Sequence, residues 1–279
     1  MRRRYPTEFA YQVVSLVLAV IVVHAVYVTL VRPKADAILE LQAAMMKTDP
    51  DYVQQRSAWV IVRDFEQEAC FVLMLWGLAI IGSKWAATSR ENRLLQADLV
   101  PIGDGMKILP EDAREYARQI ESLPPEQQHY LLPRALLSAL HRFGATRSIQ
   151  DASDTAHDVC EAESERLDSE LSMVRYLAWA IPSIGFIGTV RGIGEALGQA
   201  HKAVEGEISG VTQSLGVAFN STFIALLLSI VLMFVLHQLQ LQQERLVLDT
   251  ETYLDSHLVR HLQVASPPSV HGRRADAPQ

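Results

Sequence analysis

The chain has 279 residues, with 25 Lys+Arg against 32 Asp+Glu, a net charge of −7 and 49% hydrophobic residues. The acidic balance argues against a nucleic-acid binder, and the apolar fraction excludes disorder throughout. Two cysteines, Cys70 and Cys160, are too few for a disulfide scaffold and lack the spacing of a zinc site. The mean hydropathy of +0.10 arises from very apolar and very polar stretches in alternation.

The first apolar stretch, Phe9 to Val31, contains no Asp, Glu, Lys or Arg. At about 1.5 Å per residue it is long enough to cross a hydrocarbon layer roughly 30 Å thick. Arg2-Arg3-Arg4 ahead of it resembles the start of a signal peptide. The apolar part is too long for one, however, and Tyr27 to Arg32 offers no small-residue cleavage site. Residues 1–32 therefore read as a retained anchor. His24 inside it reads as a hydrogen-bonding residue of a helix bundle rather than a proton relay.

Residues 33–68 follow as an external segment ending in Arg63-Asp64-Phe65-Glu66-Gln67-Glu68. Asp64, Glu66 and Glu68 are candidate outer-mouth charges, because acids at a channel mouth raise the local cation concentration. The plainer alternative is a solvated turn beside the membrane. The second span, residues 69–86, carries ACFVLMLWGLAIIG and borrows Phe65 and Trp85 at its ends.

Residues 87–174 form a polar segment that reads as helical. Pro110-Glu111-Asp112 is a helix start, Leu123-Pro124-Pro125 a break, and Phe143-Gly144 a helix stop. Ser148 then caps a long helix expected to run unbroken into a third span, with Ile149, Ala152, Ala156 and Cys160 at helical spacing. The fourth span, about Val211 to Leu236, continues as helix to about His261, with Leu239, Leu246 and Tyr253 seven apart. The tail, residues 263–279, reads as disordered. Lys84, Arg90 and Arg93 follow span two, whereas the connection between spans three and four holds Lys202 and, at its border, Arg191. This bias places both termini and the 87–174 segment in the cytoplasm. The fold class is an all-α membrane protein with four transmembrane helices and long helical cytoplasmic extensions.

No Ser/His/Asp set, phosphate loop or metal-ligand spacing occurs, so the chain is expected to be no enzyme and to need no cofactor. The informative part is the pair formed by spans three and four. Span three reads IPSIGFIGTVRGIGEALG, with Pro182, Ser183, Gly185, Gly188, Thr189 and Gly192. Small residues at this spacing let helix backbones approach closely, and a proline frees a carbonyl and kinks the helix. Span four carries Ser214, Ala218, Ser221, Thr222, Ala225 and Ser229 on one face, with Asn220 beside it. Two facing stripes with hydroxyls at matched depth suit a weakly polar lumen, although packing alone explains each residue singly. The span centres hold no Asp or Glu. A proton relay in lipid usually needs a titratable carboxylate, so a partner chain must bring it.

From Leu167 to about Tyr253 the sequence resembles the MotA/TolQ/ExbB proton-channel family. The resemblance is strongest in Ile181-Pro182-Ser183-Ile184-Gly185-Phe186-Ile187-Gly188-Thr189-Val190-Arg191-Gly192-Ile193. TolQ and ExbB have a similar Pro-x-x-Gly-x-x-Gly-Thr-Val-x-Gly-Ile segment, which places Thr189 on their channel-facing threonine and Thr222 on the second one. The resemblance implies a ring-forming homo-oligomer, a pentamer, around a dimer of an ExbD/TolR/MotB-like single-span partner whose membrane Asp carries the proton. It implies a bacterial inner-membrane motor with Thr189 and Thr222 along the ion path, to which the reading of the two stripes adds Ser183, Ser221, Ser214 and Asn220 as lining candidates. The subtype is closest to TolQ/ExbB, with an extra N-terminal span. Three departures stand out. A glutamate near the start of the last ExbB span aligns with Val217. Arg191 replaces an aromatic residue, and either snorkels outward or pairs with Glu195 one turn on. A late proline of the last span is missing. The rival reading is a non-conducting membrane scaffold that uses the same small residues for packing.

Overall fold

The computed structural model describes residues 4–48, 57–95, 99 and 106–264. Arg2, Arg3, the side chain of Arg4 and the tail from 265 lie outside the described residues. Those described form helices and their connections, with no strand among them and one isolated bridge between Ile108 and Leu262. Four helical stretches are long and apolar enough to cross a membrane: Phe9–Met46, Phe65–Leu95, Ile149–Gly198 and Ser209–His261. The chain is an all-α, multi-pass membrane protein.

The chain divides into two compact units, one of residues 1–86 and 170–240, the other of 87–169 and 241–279. In the first unit, helix α1 (Arg4–Val26) passes through a π-helical turn, Tyr27–Val31, into α2 (Arg32–Thr48). The turn has a local cause. Pro33 cannot donate to the Thr29 carbonyl, and its ring crowds that group. The wider turn is closed instead by the Arg32 N–H, which donates to the Tyr27 carbonyl. A short helix α3 (Ala58–Ile61) leads to α4 (Phe65–Leu95).

Helix α1 lies along α4 through apolar contacts and two anchors. Trp76 Nε1 donates to the Gln12 carbonyl at 3.0 Å, and the Tyr11 hydroxyl donates to the Ala79 carbonyl at 3.1 Å. Val23, Tyr27 and Val31 pack on Val62, Phe71 and Val72. The remaining core of this unit joins α4 to α8 (Ser172–Gly198) and to the membrane part of α10 (Ser209–Tyr253), through Cys70, Ile80, Leu177, Ile181 and Leu232. A short helix α9 (Ala200–Val204) connects these last two.

The second unit contains α5 (Ala113–Glu121), α6 (Leu131–Thr146), most of α7 (Ile149–Glu170) and the end of α10. Its core includes Ile120, Leu136, Phe143, Cys160, Leu254 and Leu258. Asp112 precedes α5, and its carboxylate accepts from the Leu109 N–H at 3.3 Å. Ser148 Oγ accepts from the Asp151 N–H at 3.2 Å, which satisfies one free donor at the start of α7.

Two boundaries differ from the sequence reading. Helix α6 passes through Gly144 and ends at Arg147, whose φ of 53° makes the left-handed cap. The helical stretch into span three carries one local irregularity. A one-residue turn at Leu171 separates α7 from α8, and Leu171 itself is fully buried.

Candidate functional site

The site lies in the seam between α8 and α10, and glycine sets how close that seam is. A Cβ on Gly185 would overlap the Ala225 methyl. One on Gly188 would come within 2.6 Å of Ser221 Cβ, and one on Gly192 within 2.7 Å of the Ser214 carbonyl oxygen. All three glycines are buried. Gly194, two residues beyond Gly192 and so on the other side of the helix, would meet nothing within 4 Å. The small residues of span three therefore face those of span four directly.

Pro182 sits inside α8 and leaves the Ala178 carbonyl without its helical donor. Ser229 of α10 supplies the replacement, since its hydroxyl donates to that carbonyl at 2.8 Å. Both partners are buried. The proline and the serine are thus two halves of one contact between the helices.

Two turns further along α8 the seam becomes polar. The hydroxyls of Thr189 and Thr222 are hydrogen-bonded to each other. Thr189 Oγ1 also reaches the Ala218 carbonyl at 2.9 Å, and Thr222 Oγ1 reaches the Gly185 carbonyl at 3.2 Å. Each hydroxyl carries one proton, so two arrangements satisfy the same heavy atoms. In one, Thr222 donates to Thr189, which donates to Ala218. In the other, Thr189 donates to Thr222, which donates to Gly185. Both threonines are half-buried. The two arrangements differ only in which way the hydroxyl protons point, and the backbone is the same in both.

The other candidate lining residues are distributed differently. Ser221 and Ser214 are buried in the same seam, where Ser221 donates to the Val217 carbonyl at 2.8 Å and Ser214 Oγ accepts from Gln199 at 3.3 Å. Ser183 is exposed and donates to the Trp179 carbonyl at 3.1 Å. Asn220 and Val217 line a cavity of about 590 Å³ beside the seam, together with Asp64. These six candidate lining residues thus do not form a single row. Four belong to the α8–α10 seam, whereas Ser183 and Asn220 face elsewhere.

The charges beside the seam are paired. Arg191 holds Glu66 through two bonds, Nε to Oε1 at 2.7 Å and Nη2 to Oε2 at 2.9 Å, and also reaches Glu195 at 2.8 Å. The expected partner Glu195 is therefore joined by one from span two. Glu68 is bonded by Arg32 and by His24 Nδ1, the latter at 2.7 Å. Glu66 and Glu68 thus clamp helices together, and Asp64 lines the cavity. No local pattern in the sequence marks these pairs, whose members lie 36 to 125 residues apart.

Among the described residues no group of three or more His, Cys, Asp or Glu is arranged to hold a metal ion. No curated protein and no solved structure matches the chain. The match lies with a family. Residues 128–252, from just before α6 to the end of α10, fit the model of the MotA/TolQ/ExbB proton channel family, and the paired threonines lie inside this stretch.

Proposed function

We propose that the chain is a wall-forming subunit of a proton-driven motor in a bacterial inner membrane. The observation that carries this reading is the Thr189–Thr222 hydroxyl pair, set between two spans whose centres contribute no Asp or Glu of their own. Hydroxyls pass protons along but do not store them, and the span centres carry no acid, so the storing group at membrane depth is an acid on another chain. A single-span partner of the ExbD/TolR/MotB kind, with an Asp in its span, supplies that acid. Several copies of this chain, five by resemblance, surround the partner and turn their seams toward it. Both termini and the 87–174 segment lie in the cytoplasm.

The experiment is co-expression with a neighbouring single-span, Asp-bearing protein, purification in mild detergent, subunit counting and proton-flux measurement in vesicles. The reading predicts a multimeric ring that retains the partner and conducts. The scaffold alternative is favoured by one observation: every seam hydroxyl already has a bond within the chain. It predicts vesicles without flux.

A further inference from the structure

We propose that the cavity bounded by α2, the Ser57–Asp64 strap and the first turns of α10 is a water-filled outer vestibule in which the Asp64 carboxylate takes up the proton bound for the Thr189–Thr222 pair. This rests on the channel reading and names a residue of this chain for its first step. The cavity encloses about 590 Å³, room for about twenty waters at roughly 30 Å³ each. Its walls carry Gln42 from α2, Arg63 and Asp64 from the strap, and Gln213 and Asn220 from α10. Leu39, Val60, Ile61 and Phe219 belong to the apolar part of the lining, and the polar groups among them give enclosed water its hydrogen-bond partners.

Asp64 is half-buried beside two cations and two acids. Arg63 precedes it and is drawn toward Asp36 at 3.4 Å, whereas Arg191 is committed to Glu66 and Glu195. Arg63 and Arg191 favour the carboxylate, and Glu66 and Glu195 oppose it. Burial outweighs the cations and raises the carboxyl above its ordinary range. An acid of this kind picks up protons more readily than an exposed aspartate.

In the step itself, an O–H bond forms at an Asp64 oxygen as one O–H bond of a hydronium ion breaks, leaving water. The reverse transfer to a cavity water on the α10 side regenerates the carboxylate. Asn220 lines that wall, and the next residue, Ser221, lies in the seam.

The test reconstitutes the full ring with its partner and follows proton flux while the outer pH is varied at fixed inner pH. Asp64→Asn is expected to lower flux about tenfold at neutral outer pH and to flatten its pH profile, because the focusing charge is gone. Asp64→Glu is expected to retain a titrating profile. In the same complex, Asn220→Cys is expected to react with a membrane-impermeant thiol reagent added outside, while the buried Cys70 and Cys160 of the unmodified chain do not. An unchanged Asp64→Asn profile, or an Asn220→Cys that reacts only from the inside, overturns this inference while wild-type flux keeps the channel reading intact. A wild-type complex without flux overturns both.

Discussion

The hydroxyl of Ser229 donates to the carbonyl of Ala178, the one carbonyl of α8 that Pro182 strips of its helical donor. Neither residue has a reason to be polar or free without the other. Removing the serine leaves a buried carbonyl unmet. Ser229→Ala should cost about 1–2 kcal/mol in detergent unfolding. In a Pro182→Ala background, residue 182 has an N–H again and Ser229→Ala should cost much less. A double-mutant cycle measures the difference, and equal costs in both backgrounds would mean that the contact does not act through the proline.

The glycine stripe makes a contrast within one helix. Gly192→Ala puts a methyl group against Ala218 and the Ser214 backbone. Backbone cannot rotate aside as a side chain does, so the helices must separate. About 1–3 kcal/mol of lost stability is expected. Gly194→Ala meets nothing and should be neutral or slightly stabilising, since alanine favours helix. Thermal unfolding of the two variants side by side is the check. Equal losses would show that helix propensity rather than the close seam sets the result.

In the second unit, Glu163 is 2% exposed and is held by Arg134 at 3.0 Å and by Arg166. Arg134→Met leaves that carboxylate with one cation. It should destabilise the unit by about 2 kcal/mol, less than the ~3–5 kcal/mol of a fully orphaned buried charge. Adding Glu163→Met removes the stranded charge and should return part of the loss. Denaturant unfolding of the single and double variants measures this, and a double variant weaker than the single one would argue against the ion pair as the cause.

What the sequence made legible follows physical range. Spans announce themselves by composition, and the Gly185, Gly188 and Gly192 spacing announces a close helix seam, because both signals lie within one helix. The Leu171 turn was hidden, since leucine carries no turn chemistry and its burial is decided by tertiary packing. Gly144 misled in the opposite direction, as a helix interior tolerates glycine when the next turn continues to pack. Glu66 and Glu68 read as free acids, for their cations stand on other helices at matched depth. Ser183 sits on the same span as Thr189 yet faces outward, because six residues bring it to a different side of the helix.

The most direct test of the account is proton flux through the reconstituted complex with the Thr189 and Thr222 hydroxyls removed one at a time. Thr189→Val and Thr222→Val keep the side-chain shape and delete the exchangeable proton, and each should lower flux at least about a hundredfold. Thr189→Ser and Thr222→Ser keep the hydroxyl and should conduct near the wild-type rate, with subunit count and partner retention the same in all four variants. Full flux in both valine variants of an intact complex would contradict the assignment of this pair to the proton path.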